Sequence, residues 1–137
     1  MTSFANQQAK TDVYRRQNIM TAGPGDLTLM LYDGCIKEIK LMNKFITEGL
    51  IEKTNEAALL AQSILSELMR SLNMQYEMSH DLYQLYEYML GQLVYANIHK
   101  DTQKTEHILE MLTELRDTWH QAIRINRLQE MGTGGSI

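Results

Sequence analysis

The 137-residue chain contains one proline and one cysteine, and it has no long run of apolar residues. The single cysteine, Cys35, cannot form an intramolecular disulfide, which is typical of a reducing compartment. A membrane-spanning helix needs about 20 apolar residues, so no segment of this chain is able to cross a bilayer. The polar N-terminus also lacks the apolar stretch of a secretory signal. We therefore expect a cytoplasmic protein without membrane insertion.

Positive charge is also scarce. Thirteen Lys and Arg residues against 17 Asp and Glu give a formal net charge of −4 and an isoelectric point of about 5.5. The chain has no large basic field of the kind that binds nucleic acid or anionic membranes. Its length and its 44% of hydrophobic residues fit one ordinary globular domain.

Helix-forming residues dominate the stretch between Tyr32 and Met131, where Leu, Met, Gln, Glu and Lys are frequent. Because the predicted connections are short, the helices are expected to form an antiparallel, up-down four-helix bundle. We expect a flexible N-terminal arm over residues 1–22, the bundle over residues 23–128, and a disordered tail over residues 129–137.

Four predicted helices follow from capping signals. The first begins near Pro24 with Gly23 as its N-cap, and Gly49 supplies a left-handed stop after Glu48. The second runs from residues 51–54 to 72–73. The third has Ser79 as its N-cap and ends at residues 97–99, and the fourth runs from an Asp101 or Thr102 cap to about Leu128.

Two of these helices carry apolar residues beyond an ordinary core face. Apolar residues cover roughly 260° of the first helix, whereas a surface helix buries an arc of about 100° or somewhat more. In the third helix Tyr88 and Tyr95 lie opposite the core stripe, and Glu87 is the only formal charge from Leu82 to Ile98. A central position of the first helix would explain its pattern. A partner helix bound in a groove would explain both patterns.

Metal chemistry is a weaker interpretation. Glu77 and His80, and also Asp117 and His120, have the spacing of the carboxylate and histidine ligands in di-metal helical bundles. However, Glu77 precedes the predicted Ser79 cap, and His120 points away from the core side. Cys35 is expected to be a small core residue. We expect no catalytic residue, no metal and no cofactor, with a di-metal enzyme and a self-associating helical module as alternatives.

Several blocks of sequence resemble the FliS family, which comprises flagellin-specific chaperones of the bacterial flagellar type III export system. The blocks are Tyr14, Ile19, Thr21, Ala22, Pro24 and Leu27, then Met30 to Gly34, Lys53 to Glu56, Ala61 to Leu68, Leu82 to Met89, Ala96 to Ile98, and Leu115 to Ile123. Gly23 departs from the pattern, because the family more often has Ser, Thr or Asn at that position.

The resemblance implies an all-α, antiparallel up-down four-helix bundle with a short, mobile N-terminal helical arm. It also implies binding to the disordered C-terminal region of flagellin, which prevents premature polymerisation. The chaperone–flagellin complex would then go to the flagellar export gate. The resemblance implies neither an enzymatic activity nor a cofactor.

We predict that eight side chains contact flagellin by apolar and aromatic burial, with Gln84 and Gln92 as possible polar contacts. The arm is expected to cover the apolar surface of the first helix until flagellin arrives, with Met20 beside its two predicted contact residues. The eight residues are Tyr14, Ile19, Leu29, Met30, Ile36, Leu41, Tyr88 and Tyr95. The predicted core residues are Leu27, Leu31, Ile39, Met89, Leu93, Leu115 and Trp119.

Overall fold

The computed structural model describes residues 25–135, including the side chains of residues 25–129. The predicted arm, with Tyr14, Ile19 and Met20, lies outside the described residues, as do Gly23 and Pro24. The described part forms four helices. They are α1 (Asp26–Glu48), α2 (Ile51–Arg70), α3 (Glu77–His99) and α4 (Thr102–Gly135). None of these four helices has an apolar stretch sufficient to cross a membrane.

The helices pack as a ring in chain order. Helix α1 packs against α2 and α4, and α3 packs against the same two helices from the other side. Residues 49–50, 71–76 and 100–101 connect them, and such short connections place consecutive helices antiparallel. The prediction of an all-α four-helix bundle is therefore confirmed.

Two predicted helix boundaries follow from local backbone chemistry. Gly49 adopts a left-handed conformation (φ 73°) after α1, and its N–H donates to the carbonyl of Ile46 at 3.1 Å. Before α4, the Asp101 carboxylate accepts hydrogen bonds from the N–H groups of Gln103 and Lys104 at 3.0 and 3.3 Å. Both residues perform the capping roles predicted for them.

The predicted Ser79 cap is wrong. Helix α3 begins at Glu77, with extended Tyr76 as its N-cap residue, and Ser79 is buried within the first turn. A turn places the Tyr76 N–H at 3.2 Å from the Asn73 carbonyl, and the Asn73 side chain accepts a bond from the Gln75 N–H. The chain therefore enters the helix earlier than serine capping alone suggested.

Three other helix ends differ from the expected ones. Helix α1 begins at Asp26, after Gly25, and α2 ends at Arg70. Helix α4 continues to Gly135, beyond the expected end near Leu128. Gln, Glu and Met follow Leu128, and these residues favour a helix, whereas glycine weakens one without excluding it.

The core runs along the axis of the bundle. Leu31, Ile39, Met89 and Leu93 are fully buried, as predicted. The other three predicted core residues, Leu27, Leu115 and Trp119, are partly buried and pack against the core. Helix α2 is the most enclosed helix, and its buried residues are Thr54, Ala57, Ala58, Leu60, Ala61, Ser63, Ile64, Leu65, Glu67 and Leu68.

Candidate partner-binding surface

A strip of aromatic and uncharged polar residues runs along the outside of α3. We call Gln84, Tyr88, Gly91, Gln92 and Tyr95 the outer strip. Tyr88 and Tyr95 are 47% and 45% exposed, whereas Met89 and Leu93 on the opposite side of the same helix are fully buried. The strip carries no formal charge, and an exposed helix face of that composition is typical of a surface that a partner covers.

The ring of Tyr95 is held in place by its neighbours. The ring of His99 lies at 4.1 Å between centroids, and the Lys104 ammonium lies 4.9 Å from the Tyr95 centroid. Lys104 also donates to Gln92 Oε1 at 3.0 Å, which joins α4 to the outer strip. A positioned aromatic ring loses less conformational entropy on binding than a free one.

The four predicted contact residues of α1 do not share one surface with each other or with the outer strip. Leu29, Met30, Ile36 and Leu41 are all partly buried. On a helical projection, Leu29 and Ile36 lie on the flank of Asp33, which pairs with Arg116 of α4 at 2.8 Å.

Met30 and Leu41 lie on the other flank of α1, which faces α2. The apolar arc of α1 is wide because two neighbouring helices cover its two flanks. Among the described residues of α1, every large hydrophobic side chain is buried or half-buried. The two half-exposed tyrosines therefore lie on α3, and flagellin contact by the four partly buried residues of α1 stays a prediction.

A groove of about 400 Å³ at one end of the bundle was missed by the sequence analysis. We call it the end groove. Met78 and Tyr76 on its rim are 70% and 67% exposed. The misplaced Ser79 cap assigned both residues to a loop, although the density of Met and Tyr from Met74 to Met78 was a usable signal. The groove is lined by Thr28, Ser71, Leu72, Asn73, Tyr76, Met78, Ser79, Leu82, Tyr86 and Trp119.

The end groove lies beside the point where the chain enters α1. The Trp119 indole N–H donates to the carbonyl of Gly25 at 2.8 Å, and Trp119 also lines the groove. This bond ties the start of α1 to α4. Gly25, the first described residue, therefore lies at this end of the bundle.

The buried reactive groups are held in their neutral forms. The hydroxyls of Tyr32 and Tyr86 bond to each other inside the core, and burial raises the pKa of both phenols. Burial, followed by the nearby Glu38 charge, also raises the pKa of the Cys35 thiol, whose sulfur lies 3.7 Å from the Ala61 carbonyl oxygen. A neutral buried thiol is a poor nucleophile, as expected for a core cysteine.

The candidate metal ligands are used in other ways. His80 Nε2 lies 3.0 Å from the Met74 carbonyl oxygen, and Asp117 pairs with Arg116 at 3.0 Å. Glu77 lies on α3 with His80, contrary to expectation, but both side chains are exposed. Within the part of the chain that the structure describes, no three His, Cys, Asp or Glu side chains converge on a common point.

Comparison with known proteins adds a family to this geometry. The family model described as "Flagellar protein FliS" matches residues 5–126. A flagellar secretion chaperone FliS of Bacillus subtilis is 41% identical over 122 residues, which cover 89% of this chain and 92% of that protein. The protein of the same name from Salmonella typhimurium is 29% identical over 124 residues, which cover 88% and 92%. A third, from Vibrio cholerae, is 27% identical over 116 residues, which cover 83% and 85%.

Proposed function

The chain belongs to the FliS family and is a flagellar secretion chaperone, and on this premise we propose that it binds the disordered C-terminal region of flagellin. The matches confirm the resemblance seen in the sequence and the expectation of a chaperone rather than an enzyme. In the proposed role the chain prevents premature polymerisation of flagellin in the cytoplasm and escorts it to the export gate.

The outer strip of α3 is the observation that carries the proposal. A disordered segment loses conformational entropy when it folds on a partner, so it needs a long apolar surface to offset that loss. Tyr88 and Tyr95 are seven residues apart, which places them on one line along the helix. Their half-exposed rings supply apolar area and hydroxyl groups on a strip whose own residues carry no formal charge. An amphipathic helix of flagellin would lie along this line.

Flagellin would also contact other parts of the bundle. A segment that continues as further helices around the bundle would reach Leu29 and Ile36 beside α4, or Met30 and Leu41 beside α2. All four side chains are partly exposed. Their separation on two flanks favours a partner that wraps around the chaperone over one that occupies a single groove.

The N-terminal arm is proposed to compete with flagellin. Tyr14 and Ile19 precede α1 closely enough to cover the apolar surface near the end groove, and flagellin would displace them. Deletion of residues 1–18 should then lower solubility and change flagellin affinity. If both properties are unchanged in the shortened chain, the arm has no covering role.

Co-purification tests the central proposal. The chain should retain flagellin that has its C-terminal segment and fail to retain flagellin from which that segment is removed. Equal retention of the two forms would contradict binding through this segment. Retention of neither form would contradict flagellin binding altogether.

Self-association is the structural alternative, because an exposed apolar strip is also able to pair with a second copy. Sedimentation velocity at several concentrations, with and without flagellin, separates the two cases. The proposal requires a chain that forms a complex with flagellin through the strip. A tight homodimer that excludes flagellin would favour the oligomerisation module.

A further inference from the structure

A second, smaller cavity lies at the seam between α1 and α4, near the N-terminal end of α1. We call it the α1–α4 pocket. It has a volume of about 220 Å³ and combines aliphatic side chains with basic groups. The function proposed above makes no use of its basic residues. The pocket is lined by Asp26, Leu29, His120, Ile123, Arg124, Arg127 and Leu128.

Positive charge predominates in the α1–α4 pocket, although the chain as a whole is acidic. The Arg127 guanidinium bonds to Asp26 Oδ2 at 2.5 Å, so these two charges largely cancel. Arg124 is exposed and has no ion-pair or hydrogen-bond partner among the described residues. The pocket therefore has one uncompensated guanidinium in a chain with a net charge of −4.

The aliphatic part of the pocket is formed by the close approach of the two helices. Leu29 of α1 lies opposite Ile123 and Leu128 of α4, and Leu128 is 60% exposed. Gly25, at φ 90°, precedes α1 so close to α4 that a Cβ atom there would lie 3.3 Å from Ile123 Cγ1. The start of α1 is therefore packed closely against Ile123, and the pocket combines the apolar side chains of Leu29 and Ile123 with Arg124.

We propose that the α1–α4 pocket binds a carboxylate that lies next to an aliphatic side chain, on an acidic polypeptide other than the flagellin segment. A guanidinium group binds a carboxylate through two parallel hydrogen bonds, and the aliphatic neighbour would bury itself against Leu29 and Ile123. The pocket therefore matches its ligand in both charge and polarity.

The position of the pocket allows a second partner to bind together with flagellin. Helix α3, which carries the outer strip, is diagonal to α1 in the ring, and it packs only against α2 and α4. A flagellin segment that is seated on Tyr88 and Tyr95 and continues over α2 to Met30 and Leu41 leaves the α1–α4 seam open, whereas a segment that continues over α4 to Leu29 would cover it. The pocket thus provides a site for a partner that recognises the chaperone in its loaded form.

Heteronuclear NMR with a short peptide tests this inference. The probe is the acetylated and amidated peptide Ala-Leu-Glu-Leu-Ala, titrated into the full, isotope-labelled chain, and the comparison peptide has Gln in place of Glu. We expect saturable amide shifts centred on Leu29, Ile123 and Arg124. The Gln peptide should bind about tenfold more weakly, because a hydrogen bond between charged groups is stronger than a neutral one.

Two variants locate the interaction. Arg124→Gln should weaken binding of the Glu peptide by about tenfold. Lys44→Gln is the matched control, because it changes the net charge equally. Lys44 is exposed at the other end of α1 and lies outside the pocket. The Lys44→Gln variant should therefore bind the Glu peptide as tightly as the unmodified chain does. The proposal would be overturned if Arg124→Gln bound the Glu peptide as tightly as the unmodified chain does, or if Lys44→Gln weakened binding as much as Arg124→Gln does. Amide shifts confined to the outer strip would overturn it as well.

A final titration separates this inference from flagellin binding. The Glu peptide should bind with unchanged affinity when the C-terminal segment of flagellin is already bound. Displacement of the peptide by that segment would overturn the assignment to a second partner. Because the peptide titration of the free chain needs no flagellin, failure of the proposed flagellin binding would leave its result unaffected.

Discussion

Replacement of Trp119 by Ala tests how the start of α1 is attached to the bundle. Trp119 is the only tryptophan of the chain. Its ring is partly buried against the core, and its indole N–H donates to the Gly25 carbonyl. The variant removes both interactions, and it also enlarges the end groove that the ring lines.

The expected destabilisation is about 3 kcal/mol. A Trp→Ala change in a core typically costs about 3–5 kcal/mol, but Trp119 is only partly buried, so its packing contribution should be smaller. The lost hydrogen bond adds about 1 kcal/mol. Trp119→Phe retains most of the packing and loses the bond, so it should cost about 1 kcal/mol.

Urea unfolding followed by far-ultraviolet circular dichroism measures both changes without use of the tryptophan signal. The matched control is Gln121→Ala, an exposed position on the same helix, which should change stability by less than about 0.5 kcal/mol. The slope of the unfolding free energy with urea should stay constant. The reasoning would be refuted if Trp119→Ala were no more destabilising than the control.

Two further expectations concern the buried groups. Native Cys35 should resist iodoacetamide because burial raises the pKa of its thiol, and it should react only after unfolding; rapid alkylation of the native chain would contradict its burial. Burial also raises the pKa of Tyr32 and Tyr86 above the value of about 10 for an unfolded tyrosine, so the stability that they contribute is complete below that pH and is lost as the pH rises further. The tyrosinate absorbance of these two residues should therefore appear together with unfolding in an alkaline titration, and ionisation of all seven tyrosines in a chain that stays folded would contradict this account.

The sequence predicted those parts of the fold that depend on local interactions. Gly49 and Asp101 mark helix ends because their effects involve only the residues next to them. The start of α3 was predicted wrongly from Ser79, because a turn at Asn73 starts the helix earlier than a serine cap would allow. The amino-acid composition does not show whether the turn or the serine cap forms. The prediction of four helices does not depend on such details, since it rests on the spacing of apolar residues along each whole helix and not on a single helix end.

The candidate site depended on tertiary information that the sequence contains only indirectly. The helical projection located Tyr88 and Tyr95 correctly on an open face, because their seven-residue spacing places both on the side opposite the buried residues of α3. It could not show that neighbouring helices cover both flanks of α1. The end groove combines Thr28, Leu72, Met78 and Trp119, which lie on separate segments, so no local pattern identifies it.

Calorimetric titration of the flagellin C-terminal segment into a Tyr88→Ser, Tyr95→Ser double variant tests the central claim most directly. Interface tyrosines that act as hot spots contribute about 2 kcal/mol or more each, so loss of both should lower the affinity by about 700-fold or more. Tyr83→Ser is the matched control, since Tyr83 is 38% exposed on the same helix but lies about 140° around it from Tyr88. The account predicts a large loss for the double variant and an unchanged affinity for Tyr83→Ser, with folded dichroism spectra for both. Unchanged affinity of the double variant would contradict the assignment of the outer strip as the flagellin-binding surface.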